Sequence, residues 1–266
     1  MRKEVLLICV DYFSYRETVE YVNTILKTDS HVKIILVCNS GRDEFPKDFI
    51  NGGPRLCIYD FGKNLGYMQA AHLGLLEYLK SNPLPDWIIL SNTDISFHAN
   101  DFFETLSHDP RTGSILAPDI ISSDGYHQNP FLSYRPSGKK LRFLRLIYSS
   151  PFIFKLYSFA ANIKAKLLKS KNVKITKKPI YAPHGSFVII GSGYFQAGCT
   201  LEHPTFLYGE ELFIAERARE NNIPVMFEPA YKIYHAEHVV TGKLGGKSKA
   251  GYLKESITYF FNKYYK

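Results

Sequence analysis

Four short stretches hold residue types at spacings that suit chemistry. "SNTD", Ser91–Asp94, closes the apolar run Trp87–Leu90. Side chains at i and i+2 of an extended tip point the same way, so the Asn92 amide and the Asp94 carboxylate are expected to converge on one point. That pair suits Mg2+ or Mn2+, which accept a few protein oxygens and leave places for phosphates. The same residue types also make turns and helix caps, which is the competing reading. In "FGKNLGY", Lys63, Asn64 and Gly66 precede a helix whose amide-bearing end favours an anion. The stretch is neither a Walker loop nor a G-x-G-x-x-G fingerprint, and an ordinary glycine loop is the alternative. "FLYGEEL" opens another helix with Glu210 and Glu211. Carboxylates stabilise that end, and one beside a loop can serve as general base. "IYHAEHVVTGK" supplies His235, His238, Thr241 and Lys243 as candidates for metal or phosphate.

These stretches need strands and helices to position them. Val5–Val10, Val32–Cys38, Leu56–Tyr59 and Trp87–Leu90 read as strands. Ser14 and Glu17 have the spacing of a capping box ahead of a helix carrying Val19, Val22, Ile25 and Leu26. A second helix carries Met68, Ala71, Leu75, Leu76 and Leu79 and ends before Pro83 and Pro85. His72 on it reads as packed. Alternation of this kind predicts an α/β fold with a mainly parallel central sheet flanked by helices. Ligands of such sheets bind beyond the carboxyl ends of the strands. Asp11, Asn39, Asp60 and Asp94 all stand directly after predicted strands. After Leu116 the alternation breaks down. A strand at Phe187–Ile190, a helix at Glu210–Asn221, a short strand at Val225–Glu228 and an amphipathic helix at about 251–264 follow.

The 266 residues are expected to form a single catalytic domain with a basic helical insertion at about 135–178. The net charge of +8 is unevenly placed: between Asp124 and Glu202 there is no acidic residue, so the rest of the chain is mildly acidic. Such a block calls for an anionic partner. Within it Leu141, Leu144, Ile147, Phe152, Phe154 and Leu156 mix with Arg142, Arg145 and Lys155, a composition suited to an anionic membrane surface or to an arm packed on the domain. Cys9, Cys38, Cys57 and Cys199 form no C-x-x-C pair and read as structural. No run of about 18 apolar residues is present. The apolar run after Arg2 and Lys3 stops at Asp11 without a cleavage site, so it reads as a strand, and a cytoplasmic location is expected.

Together the four motifs resemble those of glycosyltransferase family 2, the inverting enzymes with a GT-A (Rossmann-like nucleotide-diphospho-sugar transferase) fold, most closely the rhamnosyltransferase-like branch of bacterial surface polysaccharide synthesis. The resemblance spans Val5 to about Lys243. It implies a nucleotide-binding group of Asp11, Tyr12, Asn39, Asp60, Lys63, Asn64, Gly66, Asn92 and Lys243. It also implies that Asp94 and His235 hold a divalent cation, that Glu211 is the catalytic base with Glu210 beside it, and that His184 in "APHGSF" lines the acceptor side. Three departures stand out: Asn92 replaces the first acid of the family's D-x-D, Cys38 stands where relatives carry a base-reading aspartate, and the catalytic acid is Glu rather than Asp.

The activity implied is transfer of a hexose from a UDP- or dTDP-sugar to a hydroxyl of a glycan or lipid-linked oligosaccharide. Nucleic acid is not an expected partner. A sugar nucleotidyltransferase also uses a metal-binding acid, but it wants a glycine-rich, basic loop after the first strand, and "VDYFSYRE" lacks one. A non-catalytic basic module explains the charge block and leaves the acids at strand tips without a purpose.

Overall fold

The computed structural model describes residues 2–50, 53–168, 175–237 and 246–265. His238, Thr241 and Lys243, and Lys169, Lys171 and Lys174 of the basic block, lie outside the described residues. In the first half, β1 (Val5–Asp11) is followed by α1 (Tyr15–Thr28), β2 (Lys33–Cys38), the single turn α2 (Lys47–Ile50), β3 (Leu56–Asp60), α3 (Tyr67–Leu79) and β4 (Trp87–Ser91). β1 pairs in parallel with β2 and with β4, and β2 pairs in parallel with β3. Successive residues of β1 face opposite sides of the sheet. Leu7 and Cys9 enter a core with Val22, Ile25 and Phe102, while Leu6 and Ile8 enter another with Met68, Ala71 and Leu75. Burial on both faces explains why β1, β2 and β4 are continuously apolar.

The second half contains β5 (Ile95–Phe97), α4 (Phe102–His108), β6 (Ile115–Ser122), α5 (Gly138–Tyr148), α6 (Pro151–Leu168), β7 (Lys178–Pro179), β8 (Phe187–Gly191), α7 (Ser192–Gln196), α8 (Glu210–Glu220), β9 (Val225–His235) and α9 (Gly246–Tyr264). The sheet runs β3-β2-β1-β4-β8-β6-β9-β5, with β7 on β9. It is mixed: β6 also pairs in parallel with β9, while β8 runs against both β4 and β6, and β5 and β7 run against β9. The apolar content of β8 announces burial on both faces but carries no direction.

Three expectations are corrected. Ser14 does not form a capping box: its backbone (φ −128°, ψ 33°) is outside the usual cap geometry, and its hydroxyl donates to Asp11 Oδ1 at 3.1 Å. The strand from Val225 continues to His235, because the irregular register at Pro118/Asp119, where the partner jumps from Glu228 to Lys232, lets it pass Pro229. The final helix begins at Gly246, earlier than expected, its first half disguised by Gly246 and Gly251.

A third cluster joins α5, α8 and α9 through Leu141, Leu212, Phe213, Ile257, Phe260 and Phe261. Beside it the wholly buried Glu216 accepts from Arg135 Nε at 2.5 Å, Arg219 Nε at 2.8 Å and the Tyr181 hydroxyl at 2.6 Å. Burial alone pushes the Glu216 carboxyl up, but these hydrogen bonds outweigh it and hold the carboxyl below its ordinary value of 4.5. A buried carboxylate is tolerated only with such partners. Removing it in Glu216→Ala is expected to cost about 3 kcal/mol in chemical unfolding at neutral pH. Because the folded-state pKa is depressed, that contribution is present above about pH 4.5 and lost as pH falls through the lower folded value, so the gap between wild type and variant should narrow in acid.

Candidate active site

The carboxyl ends of β1, β2 and β3 form one polar edge. Asp11 is buried, and its carboxylate accepts from Ser14 Oγ (3.1 Å), Thr18 Oγ1 (2.7 Å) and Ser40 Oγ (3.2 Å). It therefore ties the loop after β1 to the loop after β2. Tyr12 and Phe13 stand exposed at that edge with ring centroids 4.8 Å apart. Asn39 is also buried. Its amide donates to the Gly66 carbonyl at 3.0 Å and accepts from Leu65 N–H at 3.2 Å, clipping the "KNLGY" loop to the tip of β2. Asp60 and Asn64 each accept from the backbone two residues on, at Gly62 and Gly66, while Lys63 remains exposed. Gly66 has φ +76°, and a Cβ there would sit 2.0 Å from the Phe206 carbonyl oxygen. Only glycine lets this loop lie against the segment leading to α8.

Asn92 and Asp94 do not sit on an extended tip: residues 93 and 94 form the turn between β4 and β5. Register brings the turn to the end of β9, where Ile95 pairs with His235 and the Ala236 N–H donates to the Asp94 carbonyl at 3.0 Å. Asp94 Oδ1 lies 3.2 Å from His235 Nε2. The Gln128 amide donates to Glu237 at 2.6 Å, so its carbonyl oxygen faces His235 Nδ1 at 2.9 Å and accepts a proton from it. In neutral His235 this leaves the Nε2 lone pair toward Asp94. Asp94 Oδ1 is itself buried without a hydrogen-bond partner among the described residues. Two facing acceptors are satisfied either by a proton on Nε2 or by a cation held between imidazole and carboxylate. The pair thus fits a divalent cation of the Mg2+ or Mn2+ type that takes its other ligands from phosphate and water. No group of three or more His, Cys, Asp or Glu able to hold a metal occurs among the described residues.

Glu210 and Glu211 begin α8 after Gly209, which takes the left-handed conformation (φ +88°). Burial pushes both carboxyls up, Glu211 well above its ordinary range, and the neighbouring Glu210 charge adds to the effect on Glu211. The Gly185 backbone hydrogen-bonds Glu211 and opposes that rise. A Cβ at Gly185 would lie 2.9 Å from Glu210 Cγ and 3.0 Å from Glu211 Oε1. The residues on either side of Gly185 reach the other elements. The His184 ring lies 6.1 Å from the His235 ring, and the Ser186 carbonyl accepts from Asn92 N–H at 2.8 Å. His184 is pushed down to about 4 by burial and by neighbouring His235, so it is neutral. Its backbone N–H donates to the Asn129 side chain at 2.8 Å.

The structure therefore gathers Asn92, Asp94, His184, Glu210, Glu211 and His235 around the tripeptide 184–186, and places Asp11, Tyr12, Asn39, Asp60, Lys63, Asn64 and Gly66 along the adjoining edge. Sequence reasoning missed Gln128, which orients His235; Gly185, which admits the carboxylates; and Tyr67. The Tyr67 hydroxyl is buried without a hydrogen-bond partner among the described residues. Burial, then Glu210, Cys9, Asp94 and Glu211, push it well above its ordinary range. Only Tyr67 carried a signal, as an aromatic directly after the Gly66 turn. Cys9 and Cys38 are buried, with the Cys38 thiol pushed up to about 12 by burial first and then by Asp11 and Asp60, as suits structural thiols.

No protein-family model matches the chain. The low-salt glycan biosynthesis hexosyltransferase Agl10 of Haloferax volcanii is 26% identical over 167 residues, which cover 62% of this chain and 47% of that relative. The match thus spans about half of the relative's length. Mannosyltransferase PcManGT from Pyrobaculum calidifontis, solved with GDP-Man and Mn2+, superposes with a TM-score of 0.53 at 12% identity, covering 91% of this chain and 59% of that one. S. aureus TarS 1–349 superposes with a TM-score of 0.54 at 10% identity, covering 98% and 72%. The mixed sheet flanked by helices is the fold of these GT-A glycosyltransferases.

The crowding of Glu210 and Glu211 has a measurable cost. A carboxyl whose folded-state pKa is raised destabilises the fold progressively as pH climbs through the unfolded value. Glu210→Gln relieves this and is expected to raise Tm by about 2–4 °C at pH 8. The gain should vanish below about pH 4.5, the ordinary value for these carboxyls. Thermal melts across pH check both ends.

Proposed function

We propose that this chain is an inverting glycosyltransferase of the family 2, rhamnosyltransferase-like type. In this reading it moves a hexose from a UDP- or dTDP-sugar to a hydroxyl of a glycan or lipid-linked oligosaccharide in cell-surface polysaccharide synthesis, at the cytoplasmic face of the membrane. The observation that carries the reading is the gathering of a crowded carboxylate pair and an Asp94–His235 pair around His184-Gly185-Ser186. PcManGT, solved with GDP-Man and Mn2+, supports the same class of donor.

In this reading Tyr12 and the loops tied by Asp11 and Asn39 bind the nucleoside, with Asp60 at their edge. Lys63, Asn64 and the Gly66 turn face the diphosphate at the start of α3, and Lys243 adds positive charge. Asp94 and His235, with Asn92 beside them, would hold Mg2+ or Mn2+. When bound, the cation supplies charge that stabilises the departing diphosphate. Glu211 takes the proton from the acceptor hydroxyl, whose oxygen attacks the anomeric carbon opposite the diphosphate. The bond from that carbon to the diphosphate oxygen breaks, the nucleoside diphosphate leaves, and the configuration inverts. Glu210 raises the proton affinity of Glu211 and so strengthens it as a base. Neutral His184 lines the acceptor side.

Product formation from UDP- and dTDP-hexoses tests the reading. Glu211→Gln should lower kcat by about 10²–10⁴-fold, while donor-nucleotide affinity stays at the wild-type level. A variant that keeps the wild-type rate would remove Glu211 from the role of base.

A further inference from the structure

The basic segment carries an apolar face that nothing among the described residues covers. α5 is fixed along one side: Leu141 joins the third cluster, and the Arg142 and Arg145 guanidinium groups lie 5.2 and 5.7 Å from the Phe261 ring of α9. Its other side leaves Phe143 53% and Leu146 70% exposed. α6 continues the patch with Phe152 at 72%, Leu156 at 55% and Phe159 at 66%. These three recur at i, i+4 and i+7 and share one helix face. Phe143 meets Tyr157 with ring centroids 6.3 Å apart, which packs the two helices together, and Tyr157 stands well around α6 from the Phe152–Phe159 face. Scattered exposed apolar residues need no explanation, but three large ones sharing one exposed helix face, with two more on the helix packed beside it, mark a docking surface.

Charge identifies the occupant. Lys139, Lys140 and Lys155 are exposed on the same two helices, and no acidic residue occurs between Asp124 and Glu202. A second copy meeting this patch about a two-fold axis would set cations against cations. A nucleic acid would use the lysines but leave Leu146 and Leu156 without partners. Aromatic and aliphatic side chains ringed by lysines match an anionic bilayer, where the apolar face enters the headgroup boundary and the ammonium groups meet lipid phosphates. No helix among the described residues is long and apolar enough to cross a membrane. We propose that the α5–α6 pair docks this chain in the interfacial plane of an anionic membrane. α5 and α8 share the third cluster through Leu141, Leu212 and Phe213, so docking would hold Glu211 at a set height above the leaflet. For the enzymatic part this rests on the proposed function, and it narrows the acceptor class to one anchored in that leaflet.

Flotation with phosphatidylcholine vesicles, with and without phosphatidylglycerol, tests the docking. Wild-type protein should float with the anionic vesicles alone and be released by about 0.5 M salt. Phe152→Glu/Leu156→Glu/Phe159→Glu should lose at least tenfold in partitioning, and Lys139→Ala/Lys140→Ala/Lys155→Ala about fivefold per lysine. Both variants alter exposed positions, and each is checked for wild-type circular dichroism and nucleotide affinity. Absence of wild-type flotation, equal partitioning by the variants, or a solution dimer dissolved by the triple-Glu variant would overturn the proposal. Nucleotide affinity is read separately, so docking can fail while the proposed transferase stands, and the reverse.

Discussion

The backbone at Gly185 comes so close to Glu210 and Glu211 that a Cβ there would lie 2.9 Å from Glu210 Cγ and 3.0 Å from Glu211 Oε1, and the two carboxylate side chains would have to shift to admit it. The rest of the site depends on this approach. It allows one short segment to hold the helix that bears the carboxylates while its neighbours reach His235 and Asn92. Two like charges crowded in a partly desolvated place are unfavourable for folding. They persist because α8 is anchored elsewhere, through Leu212, Phe213 and the Glu216 network. The fold holds strain at a chemically useful point and offsets it in a well-packed one.

A second close approach couples the two halves of the molecule. Gly66 lies against the Phe206 carbonyl, and Gly209 leaves room for Ser256 of α9, where a Cβ would lie 2.0 Å from the hydroxyl. The loop clipped by Asn39, the acidic segment and the final helix therefore touch in succession. Displacement of any one is felt by the other two, since packed interiors transmit strain. The α5–α6 pair joins the same chain of contacts through Phe261, so the proposed nucleotide edge and the proposed membrane face share one scaffold.

The first half was legible in the sequence because β1, β2 and β4 are buried on both faces and read as unbroken apolar runs. The second half was less so. β5 has three residues, β9 passes a proline through an irregular register, and β8 carries no mark of its direction. Candidate residues such as Asp94, Glu211 and His235 were legible by type, since carboxylates and imidazoles are few at strand and helix ends. Their convergence was not, because it is made by Gly185 and Gln128, residues whose importance comes only from what they stand beside. The expected i, i+2 geometry at Asn92 and Asp94 failed for a local reason: Asn, Thr and Asp favour the turn that leads into β5. The capping role given to Ser14 failed because its hydroxyl serves Asp11 instead.

In the proposed transferase, Asp94 and His235 would hold a cation against a nucleoside diphosphate beside Glu211. Calorimetric titration of UDP, dTDP and GDP, each with and without Mn2+, on wild type, Asp94→Ala and His235→Ala tests it most directly. Mn2+-dependent binding of UDP or dTDP to the wild type is expected, with its loss in both variants. Nucleotide binding that is indifferent to Mn2+ and to both substitutions would contradict it.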